Sequence, residues 1–285
     1  MNKLKRILAI NDISGVGKCS LTVNISVISS SGVECAALPT ALLSTHTGEF
    51  EGYTFLNLGS EIVSIAEHWK SLGVRFDGIV SGYISSVDQV SMVKEVFELC
   101  RNENTLIFVD PIMADNGVFY SGFDDKMCDA LREHSKGADA ICPNITEAAF
   151  LAGVEYEKPP HTSKFVEKVL SSLKNLNVSI IAISGIHPDD EKIGNIVYDS
   201  KTGTVFNAFR PLRPGIFYGV GDIFTSSFSA LITRGADIES ALRLASELVD
   251  SSILHTYASG KERRFGTDFE PALCEYANKV EAYFS

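Results

Sequence analysis

The sequence lacks every cysteine pattern that would build a disulfide framework or a metal cluster. Its six Cys, at 19, 35, 100, 128, 142 and 274, are scattered and form no C-x-x-C pair. Several sit in apolar stretches, where a thiol behaves as a small hydrophobe. His46 has no second His at metal-ligand spacing, so a zinc site is not expected. Basic charge is scarce as well: 25 Lys and Arg stand against 36 Asp and Glu, a formal charge of -11. That balance excludes a nucleic-acid backbone as partner, which needs clustered cations. The one basic cluster, "KERRF" at 261–265, reads either as a solvated loop between helices or as a neighbour of a phosphate ligand. No apolar run approaches the roughly 18 residues of a membrane span, and no charged, apolar and cleavable leader opens the chain. A reduced, cytoplasmic protein with no membrane partner is the expectation. Neither a G-x-S-x-G elbow nor a supported Cys–His pairing is present, which lowers hydrolase and acyl-transfer readings.

What the chain does have is alternation. Short β-branched runs ("RILAIN", "VECAALP", "FDGIVSG", "TLIFVD", "ADAICP", "VSIIAIS") are separated by segments with helical spacing, such as Ile62, Ile65, Ala66, Trp69 and Leu72. This predicts an α/β fold: a mostly parallel sheet with helices on both faces. Residues 192–209 read instead as two antiparallel strands turning at "DSKTG", and the last third as three helices, 221–234, 237–258 and 269–284. No long linker or internal repeat breaks the 285 residues, so a single domain over 1–285 is expected. Ligands of open α/β sheets bind outside the carboxyl ends of the strands, where the polar clusters lie.

Gly219-Val220-Gly221-Asp222 opens a helix. Two glycines one residue apart let backbone N–H groups turn toward an anion at a helix N-terminus, although Asp222 could simply complement the helix dipole. In "FVDPIMADNGVFY" (108–120), Asp110 and Asp115 could organise a hydrated cation, or could serve as turn residues. In "ADAICPNITEAAFL" (138–151), Asn144 and Glu147 read as a capping pair or as an amide and a carboxylate at one helix mouth. "LSTHTGEF" (43–50) places His46 between two threonines. The opening "NDISGVGKCS" (11–20) imitates a phosphate loop, but a true one needs Gly at Asp12 and Ser or Thr at Cys19. Asp12 is expected to cap the first strand there. Lys18 is left between two readings, a solvated first-turn residue or a contact to a phosphorylated product.

Together these segments resemble the ribokinase-like superfamily, and within it the pyridoxal/pyridoxamine kinases. "GVGD" resembles the G-[TV]-G-D signature, "DPIMADNG" the D-P-V-M-G-D segment and "PNITEAAFL" the P-N-x-x-E-x-x-x-L segment. "LSTHTG" and "SGYISSVDQ" are similar to two pyridoxal-kinase elements, S-N-H-T-x and S-G-Y-x-x-[SD]. The resemblance covers nearly the whole chain and implies a three-layer α/β/α fold. It implies Asp222 as catalytic base, with Gly219, Val220 and Gly221 as an anion hole. It further implies Asp110, Asp115 and Glu147 around Mg²⁺, mainly through water. ATP would then be bordered by Asp110, Asn144, Glu147, Ser184, Phe217, Gly219 and Gly221. Asp12, His46, Thr47 and Tyr83 would line the pocket for a pyridine-type alcohol. A homodimer is implied too, and dependence on a monovalent cation such as K⁺ is left open. Asp12 departs from the Ser common at that position, and "DISGVGK" is closer to the opening of hydroxymethylpyrimidine kinases. That second substrate class therefore stands beside vitamin B6, as does a ligand-binding relative without turnover.

Overall fold

The computed structural model describes residues 4–285, which divide into two compact units. The first comprises the chain up to Leu106 together with Pro214–Ser285; the second is Ile107–Arg213.

The first unit opens with β1 (Arg6–Val16), α1 (Ser20–Ser30), β2 (Glu34–Thr45), β3 (Phe55–Asn57), α2 (Gly59–Ser71), β4 (Gly78–Ser81) and α3 (Val87–Cys100). Its strands run in the order β4-β1-β2-β3. β1 is parallel to both β2 and β4, and short β3 pairs antiparallel at the edge. From β1 the chain moves one way to β2 and then returns past it to β4. Right-handed crossovers therefore put the intervening helices on opposite faces of β1. This is why Ile7, Leu8, Ala9 and Ile10 are all buried in succession, rather than alternating as in a one-sided sheet.

β1 runs further than "RILAIN". It continues through Asp12 to Val16 beside β2, with a register shift between Asn11 and Ile13. Asp12 is thus not a strand cap. It lies in a bulge, a device that re-aims side chains where a strand passes a site, and both Asn11 and Asp12 end up buried. The helix that follows starts at Ser20, later than the glycines, because Gly17 is held at φ +99.

The second unit begins in β5 (Leu106–Val109) and holds β6 (Ala114–Asp115), β7 (Val118–Phe119), α4 (Asp125–Ser135), β8 (Ala140–Ile141), α5 (Ile145–Ala152), α6 (Ser163–Leu173), β9 (Ile180–Ile186), β10 (Lys192–Asp199) and β11 (Val205–Pro211). β5, β8 and β9 are parallel neighbours. β10 and β11 extend them antiparallel, with Tyr198 opposite Val205 across the turn, as the sequence predicts. The hairpin β6–β7 and helix α4 have no counterpart in the sequence reading. Asn116 and Gly117, both at positive φ, make the hairpin turn that an Asn-Gly pair favours.

The chain returns to the first unit with α7 (Val220–Arg234), α8 (Ile238–Ser259) and α9 (Glu270–Phe284). Fully buried Phe224 and Phe228 anchor α7, their rings stacked at 5.7 Å. No helix among the described residues is long and apolar enough to cross a membrane.

Candidate active site

In the first unit the sheet order reverses at β1, which is where open α/β sheets offer a ligand crevice. Asn11 and Asp12 come from β1, Tyr83 follows β4, His46 and Thr47 follow β2, and α7 begins nearby. Gly219 precedes α7 at φ +84, and a Cβ there would lie 2.0 Å from the Lys18 carbonyl oxygen. Only glycine fits. The next residues open the helix, so the N–H groups of Val220, Gly221 and Asp222 have no intrahelical acceptor. Around Gly221 a Cβ would meet nothing within 4 Å, which leaves open space at the helix mouth.

Asp222 retains an opening to solvent, but protein encloses most of it. Burial first, and then the neighbouring Asp12 carboxylate, push its pKa up to about 6, while the Ser20 backbone N–H and the Asn11 side chain pull it down. The Asn11 Nδ2 donates to Asp222 Oδ1 at 3.2 Å. Asp12 is buried among hydroxyls, with Ser14 donating to its Oδ2 at 3.1 Å. Desolvation raises its pKa, against hydrogen bonds from Ser20 and Ser14. Tyr83 is half-buried, and burial followed by the charge of Asp12 lifts its phenol to about 12.

His46 is placed by its backbone neighbours. The Gly48 N–H donates to Nδ1 at 3.0 Å, so Nε2 carries the proton and donates to the Arg264 carbonyl at 2.5 Å. Burial lowers the ring's pKa, against the Arg264 backbone hydrogen bond and the charges of Asp12 and Glu49. With both nitrogens engaged, His46 offers a ligand its ring face. Tyr218 and Phe50 each lie 5.0 Å from that ring, centroid to centroid. Exposed Thr47 joins Glu49, Phe50, Glu51 and Arg264 around a cavity of ≈ 490 Å³.

The basic cluster turns out to be aromatic-bound. The Arg263 guanidinium sits 4.7 Å over the Phe217 ring, and that of Arg264 lies 5.4 Å over Phe50. Lys18 is tied rather than solvated: its Nζ pairs with Asp268 and, at 2.8 Å, with Glu270, while its backbone bridges Gly266. Thr267 in turn donates from its N–H and hydroxyl to the Tyr218 carbonyl. The segment 266–270 therefore clasps both the first loop and the approach to α7.

In the second unit, Asp110 ends β5 and is buried. Glu147 is buried beside it. Burial and then the Asp110 charge raise the Glu147 pKa well above its ordinary value, against N–H donors from Asn144, Met113 and Ala114. Asn144 caps α5 by accepting from the N–H groups of Thr146 and Glu147, and the Glu147 carboxylate accepts from the Asn144 N–H at 2.8 Å. The capping box is formed, and it fixes the Glu147 carboxylate beside Asp110. Asp115 is exposed on the β6–β7 hairpin and accepts from Asn116 at 2.8 Å. Ser184, in β9, forms a parallel bridge with Asn144. Among the described residues no three His, Cys, Asp or Glu side chains converge as a complete metal cage. Glu147, with the Asp110 carboxylate beside it, makes a donor set suited to Mg²⁺. That ion keeps several waters and takes few protein carboxylates plus phosphate oxygens.

Sequence reasoning missed Asn11, Ser20 and Arg264. Asn11 stood in plain view beside Asp12, but a strand-end amide carries no signal until its partners are known.

The parallel sheet, the glycine-led α7 and the acid in its first turn define a phosphotransferase with a ribokinase-like fold. A family model described as phosphomethylpyrimidine kinase matches residues 21–266, and the chain belongs to that family. Its similarity extends to a pyridoxal kinase of Actinobacillus succinogenes, 28% identical, with 77% of this chain and 78% of the relative covered. Among solved structures, the pyridoxal kinase from Lactobacillus plantarum is 28% identical with a TM-score of 0.88, covering 98% of this chain and 99% of its own. A Bacteroides thetaiotaomicron protein assigned to the phosphomethylpyrimidine kinases, crystallised with pyridoxal, is 31% identical. Its TM-score is 0.90, with 98% and 96% of the two chains covered.

Proposed function

We propose that this protein phosphorylates the 5′-hydroxymethyl group of a vitamin B6 pyridine, using ATP as donor. The observation that carries the reading is Asp222, an acid at the mouth of α7 with its pKa pushed up to about 6, facing the polar end of β1. Relatives named as pyridoxal kinases and a solved homologue holding pyridoxal support the substrate class.

The chemistry follows from the residues. Phosphoryl transfer passes through a loose transition state, so positioning and charge stabilisation dominate. Asp222 accepts the proton of the acceptor hydroxyl as the new P–O bond forms. A raised pKa makes it a better acceptor than an ordinary Asp while leaving it ionised at neutral pH. The N–H groups of Val220 and Gly221 stabilise the transferred phosphoryl oxygens. Asp12, Tyr83, Thr47 and the face of His46 orient the pyridine ring. On the donor side, Asp110 and Glu147 would hold Mg²⁺, with Asp115 acting through water, and Asn144, Ser184 and Phe217 bordering the nucleotide. Mg²⁺, when bound, neutralises charge on the phosphates. K⁺ dependence can be read in the same assay.

Asp12 refines the substrate. A buried carboxylate whose side-chain hydrogen bonds come from the Ser14 and Ser20 hydroxyls, with no Lys or Arg paired to it, suits a cationic group on the ligand, so pyridoxamine is the favoured vitamer. We also propose a homodimer: Leu42 and Leu56, paired across β2 and β3, are exposed on one edge. Light scattering of the purified protein tests this. A cytoplasmic setting accords with six free thiols.

The deciding experiment incubates the protein with Mg-ATP and, separately, pyridoxal, pyridoxamine, pyridoxine and hydroxymethylpyrimidine, and identifies the products by mass. A B6 5′-phosphate is expected. Phosphorylation of hydroxymethylpyrimidine alone would favour the reading that the Asp12 loop also fits, and no product at all would overturn both. Asp12→Ser is expected to raise KM for pyridoxamine more than for pyridoxal, and equal kinetics unchanged by that substitution would remove the amine argument.

A further inference from the structure

The Asn11 side chain makes four hydrogen bonds in the first unit's crevice, and they leave its amide no freedom. Its Oδ1 accepts two backbone N–H groups, from Asp12 at 3.0 Å and Tyr83 at 2.8 Å. Two donors can face only the oxygen, so the chemistry of its partners fixes which way the amide points. Both protons of Nδ2 are then committed, one to Asn24 Oδ1 at 3.0 Å and one to Asp222 Oδ1 at 3.2 Å. Asn24 passes the constraint on, donating to Ser226 Oγ at 2.7 Å. Ser226 lies one turn after Asp222 on α7, so the circuit Asp222–Asn11–Asn24–Ser226 leaves that helix and returns to it. Gly82 leaves it room: a Cβ there would stand 2.4 Å from Asn11 Nδ2.

We propose that Asn11 is a positioning residue for the phosphoryl transfer, its locked amide holding the Asp222 carboxylate in place and favouring its ionised form. The same amide holds the backbones of Asp12 and Tyr83, so one side chain sets both the acceptor pocket and the base. This rests on the reading of Asp222 as the base.

A neutral structural amide would give its second N–H to a carbonyl. Here it makes a charge-assisted bond, set against the repulsion of Asp12. The groups facing Asp222 come from two elements besides α7. β1 supplies Asn11 and Asp12, and the start of α1 supplies the Ser20 N–H and the Cys19 thiol. The thiol is raised to about 12, by burial first and then by Asp222 and Asp12, and is neutral in any ordinary assay. The Asp12–Asp222 pair therefore contributes to the acid limb of kcat/KM, and Asn11 biases that contribution downward.

Asn11→Asp is nearly isosteric. It keeps the oxygen that holds Asp12 and Tyr83 but turns the donor facing Asp222 into another carboxylate oxygen. The acid limb of kcat/KM is expected to move up by about one pH unit or more. kcat falls at neutral pH and partly recovers at alkaline pH, while the acceptor KM stays within about twofold of wild type. Asn11→Ser adds no charge but removes the acceptor for Asp12 and Tyr83 together with the donors, so it is read for its smaller upward shift of the limb, and that shift carries the test should the aspartate fail to fold. A limb unmoved in a variant with wild-type circular dichroism overturns the proposal, and so does a uniform loss at every pH. Asp222→Asn, run in parallel, separates the two readings: turnover in that variant defeats the base itself, whereas a dead Asp222→Asn with an unmoved Asn11 profile defeats only the positioning role.

Discussion

Asp222 has a folded-state pKa of about 6, against an ordinary value of 3.8. An acid raised in this way costs stability wherever the unfolded chain would be ionised. The cost is absent below the ordinary value, grows between the two values, and is complete above the folded one. Asp222→Asn is therefore expected to abolish turnover and yet melt at a higher temperature than wild type near pH 8. That gap should close as the pH falls toward about 4. Calorimetry across pH checks this, and a variant less stable at every pH would count against a charged Asp222 enclosed by protein. On the donor side, Glu147→Gln retains one acceptor for the α5 cap and removes a charge beside Asp110. The expected result is an apparent Mg²⁺ requirement raised about tenfold or more, read by titrating Mg²⁺ at fixed ATP, and an unchanged requirement would remove Glu147 from the metal's surroundings.

Among the elements, the start of α7 and the first loop constrain each other. Gly219 accepts no side chain because the Lys18 carbonyl fills that space, and Lys18 is itself held by Asp268 and Glu270. Gly219→Ala is expected to cost about 10²-fold or more in kcat and to lower the melting temperature. Gly221→Ala, whose new methyl meets nothing, should leave the melting temperature unchanged. Equal stability losses at both glycines would sink the packing argument. These elements also mark how far the sequence could be read. Helices α7, α8 and α9 and the β10–β11 pair fall almost where periodicity places them, because amphipathic spacing and turn chemistry are local signals. The length of β1, the bulge at Asn11 and the clasp on Lys18 were not legible. Each depends on partners tens to hundreds of residues away: β2 sets the register, and α9's first turn supplies Glu270. "GVGK" likewise reads as a phosphate loop in isolation, yet its glycines serve close packing, Gly17 against the His46 ring and Gly15 against the Ser44 carbonyl.

At the level of the whole molecule, the proposed roles fall in both units. The first holds the acid at α7 and the proposed acceptor residues. The second contributes the buried Asp110 and Glu147, the latter also closing the capping box of α5. A formal charge of -11 repels a nucleotide polyanion at long range, so donor capture should depend on its counter-ion. A non-hydrolysable ATP analogue is expected to raise the melting temperature with Mg²⁺ and far less in excess chelator. An equal rise in both conditions would contradict a metal-borne donor.

The only tryptophan, Trp69, lies on α2 with its ring 5.9 Å from the buried Phe76, and α2 carries none of the residues assigned to catalysis or binding. Nature has thus placed the chain's one strong intrinsic fluorophore as a gauge of how the first unit is packed. Its emission can follow unfolding in every variant named above without a label, and because no proposed ligand contact involves it, a signal change on adding nucleotide alone would report a rearrangement of the unit rather than direct quenching.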